Sequence, residues 1–130
     1  MDVWWAATSP TSGRFVPGDT ASNLASLRER FVELRLHGRG YLEVRAEAQF
    51  PVLTLGLMND VAVIHLMASV ESISLLVADE PAVADVEVPV MDELVEFSAV
   101  YAVDLDRAWR VVEEFARNGD ISELGQWSDL

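Results

Sequence analysis

The sequence predicts an α+β domain: an antiparallel sheet of four to six strands with an N-terminal and a C-terminal helix packed on one face. Three observations carry this. Two segments with apolar residues at helical spacing flank a central region in which apolar and polar residues alternate. Turn residues such as Asn59-Asp60 cut that region at short intervals. A length of 130 residues suits one hydrophobic core, so residues 1–130 read as a single domain.

Residues 1–18 read as a loop-rich N-terminal segment, because Ser, Thr and Gly accompany Pro10 and Pro17 there. Within it, Trp4 and Trp5 suit a short docked strand. Asp19 or Thr20 then offers an N-cap, and Leu24, Leu27, Phe31 and Leu34 recur on one helical face. This predicts a helix over residues 20–36, stopped by Gly38. Arg28, Arg30 and Arg35 interleave with Glu29 and Glu33 around its exposed side.

Strands follow. Residues 41–47 set Leu42, Val44 and Ala46 against Glu43, Arg45 and Glu47, a half-buried pattern. Residues 48–70 carry one charge, Asp60, over about the length of a membrane span. Pro51, Gly56 and Asn59-Asp60 break that run into two strands, 52–58 and 61–68, joined by a tight turn. A two-residue turn places Met58 opposite Val61. Leu53, Leu55 and Leu57 then share a core face with Ala62, Ile64 and Leu66, and Thr54 faces His65 on the other side. Ile73, Leu75 and Val77 mark another strand, and residues 86–90 and 94–98 a last hairpin. Asp104 caps the second helix, whose stripe is Leu105, Ala108, Trp109, Val112, Phe115 and Ala116 before the stop at Asn118-Gly119. Trp127 sits in a tail expected to return to the core.

Composition excludes several functions. The 22 acids outnumber nine basic residues, for a net charge of -13, which opposes direct binding to nucleic acid or an anionic membrane. All nine basic residues are Arg, so there is no Schiff-base or P-loop lysine. With no Cys there is no thiolate nucleophile and no cysteine metal site. An acid at Asp2 and a short apolar run argue against a signal peptide, and a cytoplasmic protein is expected. No cofactor or metal is expected either. Asp104-Leu105-Asp106 lacks the further ligands of a calcium loop, and the pairs Asp79-Glu80, Asp92-Glu93 and Glu113-Glu114 read as surface acids. His65 has Asp60 or Glu71 as conceivable catalytic partners, but a hydrogen bond to Thr54 is the simpler reading; His37 suits a helix C-terminus. No nucleophile motif occurs, and catalysis is not expected.

Charge is unevenly spread. Residues 1–47 balance six Arg against six acids, whereas residues 48–103 hold nine acids and no base. Seven acids fall between Asp79 and Glu96. They interleave with Val83, Val86, Val88, Met91, Leu94 and Val95, and an acidic rim around apolar anchors suits a protein interface with steered association. The expected partner-binding residues are Asp79, Glu80, Asp85, Glu87, Asp92, Glu93 and Glu96, with Met91 as the anchor.

The segment Ala62-Val63-Ile64-His65-Leu66-Met67 resembles the His-bearing apolar strand of immunity protein family 1 of bacterial polymorphic toxin systems. Val103, Ala108, Phe115, Gly119 and Trp127 are similar to that family's closing helix, its Gly and its terminal Trp. The resemblance covers residues 50–130. Asp104 stands where the family often has Pro, and residues 69–81 replace its Gly- and aromatic-containing segment. The resemblance implies a non-enzymatic inhibitor, encoded beside a secreted toxin and often directed against nucleic-acid deaminases. The expected function is therefore neutralisation of a cognate toxin domain, an acidic face occluding its basic substrate site. A generic acidic interaction or dimerisation module is the alternative, and a monomer is the favoured state.

Overall fold

The computed structural model describes residues 3–9, 11–45, 49–118 and 125–129, with the backbone alone over 17–22. Among these the order is β1 (Val3–Thr8), β2 (Phe15–Ser22), α1 (Leu24–His37), β3 (Arg39–Arg45), β4 (Val52–Met58), β5 (Val61–Ser69), β6 (Ser72–Leu76), β7 (Val86–Val90), β8 (Glu93–Phe97), a 3-10 turn (Ala99–Tyr101), β9 (Val103–Asp104), α2 (Leu105–Asn118) and β10 (Trp127–Asp129). The class is α+β, and its main sheet is antiparallel with eight strands, larger than the four to six expected. Its order is β10-β6-β5-β4-β3-β1-β2, with β9 pairing the start of β5. The β7–β8 hairpin forms a separate two-stranded sheet.

The strand expected at Trp4-Trp5 is present and longer, and a second strand, β2, begins at Phe15 where loop was expected. Val3, Trp5 and Ala7 alternate into the core, and β1 lies between β2 and β3. The polar residues that follow β1, together with Pro10 and Pro17, hid the extent of β1 and the existence of β2. β2 also displaces the helix start: Thr20 lies in a strand, and the cap is Asn23, whose carboxamide oxygen accepts the Ser26 N–H at 2.9 Å. An Asx side chain in extended backbone satisfies a free amide of the first turn as well there as at the expected position. At the other end Gly38 takes φ 79° and donates to the carbonyls of Leu34 and Arg35, the left-handed stop that the sequence called for.

The β4–β5 register is as expected: Met58 opposes Val61, and Thr54 opposes His65. Leu53, Leu55, Leu57, Ala62, Ile64 and Leu66 line the core with Leu27, Phe31 and Leu34 of α1 and with Leu105, Ala108, Val112 and Phe115 of α2. Burying such leucines contributes about 1.5–3 kcal/mol each relative to exposure. Asp104 caps α2, its Oδ1 accepting the Arg107 N–H at 2.9 Å. The expected stop at Gly119 and the strand residues Ala46 and Glu47 lie outside the described residues. Trp127 returns to the core, half-buried, through pairing of β10 with β6. Among the described residues no helix is long and apolar enough to cross a membrane.

Candidate functional site

The opposite sheet face carries the hairpin. Val88 packs with Val63 and Leu75, and Val86, Phe97, Met58 and Tyr101 close around them. This contact needs a glycine. A Cβ on Gly56 of β4 would overlap the carbonyl oxygen of Pro89 and crowd the Val88 side chain, so β7 can lie this close only where β4 has no side chain. The same contact covers Val63 and part of the β4–β5 face that carries Thr54 and His65.

Two carboxylates fasten the hairpin at its ends. At the tip, Asp92 Oδ1 accepts the Phe15 N–H of β2 at 2.7 Å. Before the first strand, Asp85 Oδ1 accepts the Ala99 N–H of the 3-10 turn at 3.1 Å. Met91, at the tip, holds φ 57° and is 51% exposed. The left-handed conformation is costly for a residue with a long side chain.

All seven predicted acids are exposed, but the structure divides them. Asp85 and Asp92 are tied to backbone amides as above. Asp79 pairs with Arg107 at 3.4 Å, and with Glu80 it lines a cleft of about 390 Å³ together with Asp60, Asp104 and Arg107, beside the start of α2. Glu87, Glu93 and Glu96 stand on the hairpin, and their carboxylates make no hydrogen bond or ion pair among the described residues. Glu87 and Glu96 are directly opposed in the ladder. Alternation places them, with Leu94 at 45% exposure, on the side away from Val86, Val88 and Phe97. Val86 and Val88 turn inward instead of serving as surface anchors. Leu94, one of the apolar residues interleaved with the acids in the sequence, is exposed beside them as strand alternation requires. The buried Arg107 was missed, because nothing local distinguishes it from the exposed arginines around it.

Arg107 organises the cleft. Its guanidinium donates to the Val77 carbonyl at 3.1 Å and its Nε faces Asp79, with only 10% of the side chain exposed. Pairing of a neighbouring segment, Val77 N–H to Gln126 C=O, brings the C-terminal strand to the same place. The cleft is a structural junction in which Asp79 meets the Arg107 cation, with Asp60, Glu80 and Asp104 on the same lining.

His65 does not form the expected bond with Thr54. Its ring meets Phe97 edge-on at 5.2 Å, and burial lowers its pKa from the ordinary 6.5. Asp60 and Glu71 lie in turns at opposite ends of β5, too far along an extended strand to reach it. Tyr41 donates instead to Glu43 Oε2 at 2.7 Å, and burial together with that carboxylate raises the phenol's pKa. Among the described residues no group of three or more His, Asp or Glu side chains is placed to hold a metal ion.

No family model matches the chain, and no curated protein shows significant similarity to it.

Proposed function

We propose that this chain is a non-enzymatic inhibitor that binds a basic protein domain through the outward side of the β7–β8 hairpin. One observation carries the reading. Glu87 and Glu96 face each other directly across two antiparallel strands, and among the described residues neither makes an ion pair. Like charges in opposed positions destabilise a ladder, so the fold bears a cost that a solubility device elsewhere on the surface would avoid. A basic groove, the surface that an enzyme acting on nucleic acid must have, is its electrostatic complement. Met91 and Leu94 supply apolar contacts inside that charged rim.

The resemblance of residues 62–67 and of the closing helix to immunity protein family 1 supports a toxin as the partner, with a deaminase acting on nucleic acid as the favoured kind. The inhibitor acts in the cytoplasm of the producing cell, needs no cofactor, and works by covering the toxin's substrate site. Asp79 and Glu80 belong to the cleft around Arg107, so the binding surface narrows to Glu87, Glu96 and Leu94 on the outward side, with Met91 and Glu93 at the hairpin tip.

Co-expression tests it. The C-terminal domain of the large secreted protein encoded beside this chain is expressed with and without it. Survival only in its presence, and a complex that Glu87→Arg weakens, are expected. No rescue, or no such neighbouring gene, overturns the toxin reading and leaves a generic acidic interaction module.

A further inference from the structure

A second property of the hairpin lies in its backbone. In an antiparallel pair, opposed residues alternate between exchanging both hydrogen bonds and exchanging none, and the pair that closes a two-residue loop exchanges both. Here the loop is Met91-Asp92 and the closing pair is Val90 and Glu93. Val88 with Val95 and Val86 with Phe97 are therefore the other bonded pairs. The N–H and C=O groups of Leu94 and Glu96 point away from β7, and among the described residues β8 pairs with no other strand.

The matching edge of β7 is closed. Its outward positions are Glu87 and Pro89. Pro89 has no N–H to offer, and its carbonyl is pressed against Gly56 of the main sheet. Among the described residues the hairpin thus has one edge sealed by proline and packing, and one edge without a paired strand. Natural sheets usually blunt such an edge with a proline, a lysine or a covering element. β8 has Glu93, Leu94 and Glu96 exposed along it, so among the described residues it is guarded by acids. They repel a second copy of this acidic chain but attract a cationic strand. The Asp92 and Asp85 tethers hold the edge in a fixed shape before anything binds, which lowers the ordering cost of association.

We propose that β8 accepts an added strand from the partner: an extended segment with Arg or Lys at alternate positions. It pairs with the backbone of Leu94 and Glu96 and lays its cationic side chains beside Glu96, with Glu87 one strand further in. The inference rests on the reading above for the partner's charge, while the open edge is a separate observation. Main-chain hydrogen bonds supply the affinity in this mode and the alternate side chains supply the selectivity.

The probe is a short capped peptide of alternating Arg and Val, titrated against the intact chain by fluorescence anisotropy. A second peptide with the same side chains but N-methylated at alternate nitrogens keeps the charge and loses the donors. Leu94→Pro removes the outward N–H of β8 and copies what Pro89 already does directly opposite, so the bonds between β7 and β8 survive. Expected are binding of the first peptide, slowed amide exchange at Leu94 and Glu96, and affinity weakened by about tenfold or more for either the methylated peptide or L94P. The methylated peptide gives the answer even if L94P fails to fold. Equal affinity for both peptides, absence of protection at the two amides, or no binding at all overturns the strand addition. Weakening of the toxin complex by Glu87→Arg but not by L94P would retain the acidic-face reading and remove this one.

Discussion

Gly56 and Pro89 approach so closely that a side chain on residue 56 would overlap the proline's carbonyl oxygen. The approach seats the hairpin on the sheet, so Gly56→Ala should lift β7 away while the core between the helices and the other sheet face stays intact. Overpacking of this kind costs about 1–3 kcal/mol. Chemical denaturation should show that loss, and hydrogen exchange should place it in residues 86–97. A loss spread evenly over the sheet would contradict this seat.

Arg107 and Asp79 form an unequal pair, with 10% and 79% of their side chains exposed. Removing the buried partner strands the Val77 carbonyl and opens the junction with the C-terminal strand. Arg107→Ala should therefore cost about 2–4 kcal/mol. Asp79→Asn removes only an exposed charge and should cost less than about 1 kcal/mol. Paired melting curves give both numbers, and similar values for the two would argue against the junction.

His65 sets a pH dependence. Burial lowers its folded pKa below the unfolded value of 6.5, so the unfolded chain binds the proton more readily. The contribution to stability is fully present above 6.5 and is lost as pH falls below that value toward the folded pKa. From about pH 7.5 to about pH 5 the wild type should lose more in Tm than His65→Gln, because carboxylate titration is common to both. Parallel Tm profiles for the two would show that His65 is not the group responsible.

Met91 holds a left-handed backbone at the hairpin tip, with half its side chain exposed. Glycine adopts that conformation freely, so Met91→Gly should stabilise the fold by about 1 kcal/mol. It should also weaken the toxin complex by removing an apolar anchor. Stability and binding moving in opposite directions mark a residue kept for its contact. A variant that is more stable and binds equally well would remove Met91 from the interface.

Much of the fold was legible because it depends on residues close in sequence. The β4–β5 register follows from one two-residue turn, since a strand's side chains alternate and a slip of one position would put Leu53, Leu55 and Leu57 on the wrong face. Both helix stripes were equally readable, and so was the cap at Asp104. The start of α1 was misplaced because Asp19, Thr20 and Asn23 are all competent caps, and only the pairing of β2 with β1 chooses among them. The insertion of β1 between β2 and β3 joins segments over thirty residues apart, beyond the reach of local periodicity.

For the acidic surface the division is sharper. The run of acids between Asp79 and Glu96 and its lack of basic neighbours are properties of the chain itself, whatever it folds into. Which of them are free is not. Asp79 meets Arg107 from α2, Asp92 meets an amide of β2, and Asp85 meets the 3-10 turn, whereas Glu87 and Glu96 meet each other. A carboxylate is the same in sequence whether it fastens a loop or faces solvent; its role depends on the donors that distant segments bring within hydrogen-bond reach.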